Sequence, residues 1–344
     1  MTDSNWERLL ALIAGTYKGP TPVGHLADAP WFAARAGVGL HDYFFDDEVW
    51  FEANRAAYER FPDTLLFAGW WAEFGMISNP PAFGARCIWQ ENGFPSCERI
   101  VESLDEIARI PTPNVRTDGL LPLILGRMRR NRRRIEAIGH RYRFAVAHGP
   151  LTIASYLVGH TEFMLGIRLQ PEATAELLDR MTAFVIDWLG IQRERFPSID
   201  GFLVLEDFIG FLGEDDFRSV ALPRLKRIFA AHDVAVRFLH NDSFGLITAK
   251  FLDEMNVNLF NFGPEHTFEQ IRALSGPGPV LLGGLPPRDV LGALAPRQVA
   301  VWAAEHLEHL EANGPLIVGA AGFLSPGADY ETLQTVQEAV RGPH

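Results

Sequence analysis

Several places in this chain put acids or imidazoles directly behind short apolar runs. Glu206 and Asp207 follow Gly201 to Leu205, His240, Asn241 and Asp242 follow Ala235 to Leu239, and His148 follows Arg143 to Ala147. Adjacent acids can bind a metal, orient a substrate or move a proton; they can also cap a helix or brace a loop. A His-x-Asp pair can set an imidazole nitrogen and a carboxylate oxygen on one cation, or be a histidine braced by its neighbour. After His148 the chain turns at Gly149-Pro150, and Tyr156 and His160 come next. Glu265-His266 follow the run Leu259 to Phe262. A lone histidine is more often structural, but histidines on separate strand ends predict that at least one has a function. A cluster of aromatics (Phe67, Trp70, Trp71, Phe74, Phe83, Trp89) spans a Gly- and Pro-rich stretch. It reads either as core or as the wall of an apolar pocket.

These residues need elements to hold them. From Arg143 onward, apolar runs alternate with helical patterns: strands at Arg143–Ala147, Gly201–Leu205, Ala235–Leu239, Leu259–Phe262, Pro279–Leu282 and Leu316–Gly319. Between them the pattern predicts helices at Leu151–Val158, Pro171–Phe196, Pro223–Ala231, Leu246–Met255, Thr267–Ser275, Pro296–Glu311 and Tyr330–Arg341. Such alternation argues for a parallel sheet, and runs without polar alternation argue for strands buried on both faces. Earlier, helices are expected at Asn5–Ala14, Asp47–Phe61 and Gly119–Ile138, and strands at Thr64–Phe67 and Ala85–Trp89. A doubly wound open sheet fits the same pattern. A (β/α)8 TIM barrel is preferred, because barrel chemistry sits just past the strand ends. The expectation is one domain, with a helical and loop extension over about residues 1–60.

Composition narrows the function. The chain has 344 residues, a net charge of −12 and a pI near 5.4. That disfavours nucleic acid as a partner, since phosphates need a basic face. Six arginines between Arg127 and Arg134 form the one basic run. It reads as a solvated helix face, with a dock for an anionic partner as the alternative. The two cysteines, Cys87 and Cys97, imply no disulfide framework, and both read as free thiols in a reducing cytoplasm. Nothing resembles a signal peptide or a membrane span. The turn Gly283-Gly284-Leu285-Pro286-Pro287 lacks the Gly-Lys-Ser/Thr of a phosphate loop.

Several blocks resemble one superfamily, the uroporphyrinogen decarboxylases together with the corrinoid-linked methyltransferases. They are HGPLTIASYLVG (148–159), LEDFIGFLGEDDFRSVALPRLKRI (205–228), FLHNDSFG (238–245), VLLGGLPPRDVL (280–291) and IVGAAGFLSPGADYETLQTVQEAV (317–340). The resemblance implies the barrel and a homodimer. The decarboxylases grip their substrate with arginines in a block that would fall on WFAARAGVGLHDY (31–43), where Ala34 and Val38 stand instead and Arg35 takes the place of a Gln. Their pyrrole-binding Asp would fall at Gly69, and their late His within 319–322. Only Tyr156, and Glu206 in place of an Asp, remain, so uroporphyrinogen decarboxylation is not expected. The thiol-methylating members hold zinc with His-x-Cys and a later Cys. Here His240 matches, Asp242 replaces the first Cys, and the second would lie near Ala320 or Ala321.

The resemblance therefore implies a rebuilt site for a divalent metal, zinc first, with His240, Asp242 and Glu206 as ligands and His148, Asp207 and His266 in reserve. The expected activity is methyl transfer from a small methylated compound, a methoxyaromatic given the aromatic loop, to a corrinoid on a separate carrier protein. Glu206, His240, Tyr156 and Asp207 are the expected catalytic residues, and Trp70, Trp71, Phe74, His148 and His266 the expected substrate contacts. The alternatives are a metal-dependent lyase, hydrolase or decarboxylase on a small aromatic or carboxylic acid, and a non-catalytic corrinoid- or ligand-binding protein.

Overall fold

The computed structural model describes residues 1–91, 93–243, 246–307 and 310–341. Eight short parallel strands form the barrel: β1 Gly24–Leu26, β2 Leu65–Phe67, β3 Phe144–His148, β4 Gly201–Leu205, β5 Val236–Asn241, β6 Leu259–Phe262, β7 Val280–Leu285 and β8 Leu316–Ala320. β3 to β8 make one ladder in chain order, and β1 pairs with β2. β8 meets β1 through the parallel bridge Val23–Val318 and the bond from Val318 N–H to Pro22 C=O at 3.0 Å. A Cβ on Gly319 would lie 1.6 Å from the Gly24 carbonyl oxygen, so only glycine allows this approach. β2 meets β3 through the rings of Phe67 and Phe144, 5.9 Å apart and edge to face.

Side chains alternate along each strand. Phe144, Val146, Leu203, Leu205, Val236, Phe238, Leu259, Val280, Leu282 and Ile317 fill the barrel interior. Their neighbours, such as Ala145, Phe202, Val204, Leu239, Phe260 and Leu281, pack outward against the helices. This is why the strands read as continuous apolar runs. The helix Asp3–Ile13 closes the bottom: Trp6, Leu9 and Leu12 join the interior cluster, and Trp6 packs edge to face on Phe144 at 5.5 Å. Polar interior residues lie at the opposite, C-terminal end. His148, Leu205, His240 and Asn261 share one level by register.

Several expected elements differ. The stretch 1–60 is more than a helical and loop extension, since it contains β1. Pro20 and Pro22 hide this three-residue strand in a segment that reads as broken. Cys87–Ile88 pairs antiparallel with Ser96–Cys97 in a small hairpin outside the barrel, so Ala85–Trp89 is no barrel strand. The helix expected over Leu246–Met255 covers only Leu246–Ala249, and Pro296–His306 stops before Glu311. Phe244 and Gly245 of the FLHNDSFG block lie outside the described residues. The arginine run belongs to the helix Leu121–Ala137 and fastens it to Asp47–Arg60. Arg127 and Arg130 share Asp47, and Arg134 pairs with Glu48. Among the described residues no helix is long and apolar enough to cross a membrane.

Candidate metal centre at the barrel mouth

The penultimate residue of β5 is His240, whose ring is buried. Its Nδ1 lies 2.7 Å from Oδ1 of Asn261, the residue opposite it on β6. The Asn261 amide orientation is fixed from its other side, because Nδ2 donates to the carbonyls of Leu282 (2.9 Å) and Ala320 (3.1 Å). Oδ1 must therefore accept, and Nδ1 of His240 carries the proton. Nε2, which carries the lone pair whenever the ring holds a single proton, faces Asp207 Oδ1 at 3.5 Å and Asp242 Oδ2 at 3.8 Å. One ligand atom from each of Asp207, His240 and Asp242 lies within 4.8 Å of the others. An imidazole fixed by an outer hydrogen bond with its free nitrogen aimed at two carboxylates is a divalent-cation donor set of one nitrogen and two oxygens.

The loop after β5 holds the acids in place. Asp242 N–H donates to Asp207 Oδ1 at 3.2 Å, and Ser243 N–H donates to Asn241 Oδ1 at 3.0 Å. Asn241 Nδ2 donates to Thr248 Oγ1 at 3.0 Å. Two glycines make room: a Cβ on Gly263 would lie 2.4 Å from the Asp242 carbonyl oxygen, and one on Gly322 (φ +113°) 2.7 Å from its Oδ2. Burial, reinforced by Asp242 and opposed by His240, pushes Asp207 up to about 6. About a third of its side chain stays exposed (36%), so solvent tempers that push.

The mouth is acidic beyond this cluster. Asp28, two residues past β1, is pushed well above the usual carboxylate range by burial, then by Glu73, with Asp242 adding to it. Burial raises Glu73 to about 7, although the N–H groups of Ala29 and Gly75 both donate to it. Among the described residues, no arginine or lysine forms an ion pair with Asp28, Glu73, Asp207 or Asp242. Buried carboxylates without a cation are costly unless protonated or coordinated.

The expected ligand Glu206 lies elsewhere. It is fully buried and accepts from Leu151 N–H (2.9 Å), Thr152 N–H (2.8 Å) and the Thr152 hydroxyl (2.6 Å) at the start of the helix Pro150–Val158. A Cβ on Gly149 would lie 2.1 Å from its Oε2, which explains the glycine. Burial drives Glu206 up to about 8, against the pull of those donors. Its oxygens are thus occupied in anchoring a helix, and it is Asp207 whose carboxylate lies with His240 and Asp242 in the candidate cluster. His148 is buried, with Nδ1 at 3.0 Å from Asn79 Oδ1, which also accepts the His148 backbone N–H at 3.0 Å. Burial and the nearby His240 hold it down to about 4, so it is neutral.

Trp70 and Phe74 are core, not pocket wall. Trp70 stacks on Phe51 and Tyr58 and donates its indole N–H to His140 Nδ1 at 3.2 Å; Phe74 packs on Phe44 and Trp89. Trp71 stacks on Phe323 (6.2 Å), whose ring meets His240 edge to face at 4.9 Å. His266 sits beside Glu265, outside the cluster, and its Nε2 has no partner. Tyr156 is half-buried, and burial, then Cys97 and Asp207, raise its phenol to about 12. Sequence reading missed Asn261, Asn79, Asp28 and Glu73. Asn261 left a signal, as the one polar residue in the buried run Leu259–Phe262.

The sequence model of the family described as Uroporphyrinogen decarboxylase (URO-D) matches residues 7–343. The chain belongs to that family. A uroporphyrinogen decarboxylase of Nocardia farcinica is 28% identical over 200 residues, covering 55% of this chain and 54% of that protein. One of Corynebacterium efficiens is 30% identical over 155 residues, covering 41% and 42%. The chain thus spans about half the length, or less, of these curated relatives. A methyltransferase from Methanosarcina mazei superposes with a TM-score of 0.79 at 17% identity, over 97% of both chains. A B12-independent methionine synthase from Shewanella sp. W3-18-1 gives 0.57 at 11% identity, over 94% of this chain and 98% of that one. At such identities these two likenesses show the shared barrel fold. The segment 31–43, where the decarboxylase resemblance implies substrate-gripping arginines, holds only Arg35, which donates to the Pro326 carbonyl at 2.8 Å.

Proposed function

We propose that this family member is a methyltransferase of the corrinoid-linked type, acting on a small methylated compound and using a divalent cation held by Asp207, His240 and Asp242. The observation that carries the reading is the His240–Asn261 bond, which directs Nε2, a ligand atom in the neutral ring, at two carboxylates that pair with no arginine or lysine among the described residues. The donor set fits the ion: nitrogen and oxygen ligands suit zinc and other divalent metals, and the surplus of acid would be neutralised by one. When bound, such an ion supplies Lewis-acid withdrawal of charge from the heteroatom that loses its methyl group.

The chain's own residues would do the rest. Trp71 and Phe323, stacked beside His240, offer a flat apolar face that suits a methoxyaromatic. The C–O bond would break with its electron pair remaining on oxygen, while the methyl group passes to a corrinoid on a separate carrier protein. Tyr156, protonated across the neutral range and close to Asp207, would donate a hydrogen bond to that oxygen and stabilise the developing charge.

A second reading, metal-assisted decarboxylation or another lyase or hydrolase reaction on a small aromatic acid, draws on the absence of any thiol in the cluster and on the named relatives. One experiment separates the two. The metal-loaded protein is mixed with cob(I)alamin and a panel of methoxyaromatics and aromatic acids, and corrinoid spectra and products are followed. Methylcobalamin formed in step with a phenol supports methyl transfer; carbon dioxide or hydrolysis products without it favour the second reading. No turnover across the panel counts against both.

A further inference from the structure

The hairpin beyond β2 carries both of the chain's cysteines, and its register sets Cys87 directly opposite Cys97. Glu98 N–H donates to Arg86 C=O at 3.0 Å, so the next pair outward is a hydrogen-bonded one. Pairs alternate along an antiparallel ladder, which makes Cys87–Cys97 a non-hydrogen-bonded pair. Such pairs hold their Cα atoms about 4.5 Å apart with side chains close on one face, and disulfides span roughly 4.4–6.8 Å between Cα atoms. The backbone therefore already has the separation a disulfide needs. Both thiols are free and half-buried, within reach of a small reagent.

The hairpin also sits close to the barrel mouth. Ile100 N–H, just beyond it, donates to Leu157 C=O at 2.9 Å, tying the segment to the helix Pro150–Val158. Tyr156 on that helix is near enough to both Cys97 and Asp207 for their charges to raise its phenol. On the other side, Trp89 of the hairpin packs on Phe44, Phe45 and Phe74.

We propose that Cys87 and Cys97 are a redox modification site, closing into a cross-strand disulfide by exchange with a low-molecular-weight disulfide of the glutathione type. One protein thiolate attacks the small disulfide and expels a small thiol. The second protein thiolate attacks the mixed disulfide and expels the other. The two protein sulfurs are oxidised, the small disulfide is reduced to two thiols, and the two protons released by the cysteines end on those thiols. Closure clamps the strands of the hairpin beside Tyr156. Burial pushes both thiols up, Cys97 to about 11, so exchange is slow at neutral pH and accelerates about tenfold per pH unit as thiolate forms. The proposal is independent of the metal centre.

The test incubates the full chain with oxidised and reduced glutathione at set ratios, traps free thiols with an alkylating reagent, and maps peptides without reduction. The expected result is paired loss of both thiols and an intrachain cross-link between the Cys87 and Cys97 peptides, reversed by excess reduced glutathione. C97S should stop at a single glutathione adduct on Cys87. C87S/C97S should take up no glutathione and keep the wild-type circular dichroism. Stable glutathione adducts on both cysteines of the wild type, or a cross-link only between chains, would overturn the proposal.

Discussion

Asn261→Leu tests the centre through a residue that touches neither the substrate nor the proposed metal. The side chain is buried and makes three hydrogen bonds, one accepted from His240 Nδ1–H and two donated to the Leu282 and Ala320 carbonyls. Leucine is close in size but makes none of them. A net loss of roughly 1 kcal/mol per bond, with more for each group left buried and unpaired, predicts a stability loss of about 2–4 kcal/mol. The His240 ring would also lose the partner that fixes its tautomer and its direction. Outer-shell losses of this kind weaken metal binding by roughly 10- to 100-fold. Asn261→Asp separates the two effects: it retains an acceptor for His240 but cannot donate to both carbonyls. Chelator competition for affinity and urea unfolding for stability, run on both variants, read them out. Both should be less stable than the wild type, while only the leucine variant should lose affinity by that factor. Wild-type affinity in Asn261→Leu would refute the argument that Asn261 aims the imidazole.

Other consequences follow from the buried acids and imidazoles. Glu206, raised to about 8, keeps its proton in the folded chain over a range where the unfolded chain has lost it. Its contribution to stability is therefore present below about pH 4.3 and declines as pH rises towards 8, by on the order of 5 kcal/mol. Glu206→Gln should flatten that part of the urea-unfolding profile, and an unchanged slope would show that the shift is absent. His148, lowered to about 4, has the opposite sense for acid: stability is full above about pH 6.5 and falls as pH drops towards 4, by on the order of 3 kcal/mol. His148→Gln should lose that acid limb; if the limb persists, another group causes it. Cation binding should weaken as pH falls through about 6, where Asp207 takes up its proton. Asp207→Asn should lower affinity by more than the Asn261 change; isothermal titration at several pH values tests both statements, and pH-independent binding in the wild type would exclude Asp207 as a ligand.

The barrel was legible where its strands are flanked by long periodic helices. From β3 to β8 the apolar runs stand where the pattern put them, and so do most of the intervening helices, although Leu246–Ala249 and Pro296–His306 are shorter than the pattern suggests. Local pattern failed at β1, a three-residue strand between prolines and a helix, whose pairing with β2 and β8 is entirely non-local. The same gap hid Asp28, which matters only because β1 ends just before it. Period-two alternation explains the fate of Glu206 and Asp207. Leu205 points into the barrel, so the next residue points away from the axis towards a helix N-terminus, and Asp207 returns to the mouth. Position behind a strand identified the pair, but not which acid faces inward. Among the aromatics, Trp70 and Trp71 are adjacent in sequence and differ in fate: one is enclosed by Trp50, Phe51 and Tyr58, the other stacks on Phe323 beside His240. Those partners come from distant segments, which composition does not reveal.

The proposed chemistry depends on a divalent cation held by Asp207, His240 and Asp242. The most direct test is elemental analysis of the purified protein and its His240→Ala variant, both grown with added zinc and dialysed against metal-free buffer. Close to one divalent ion per chain is expected in the wild type, with its loss in the variant and circular dichroism unchanged. A metal-free wild type that binds none on titration, or a variant that keeps a full complement, would contradict it.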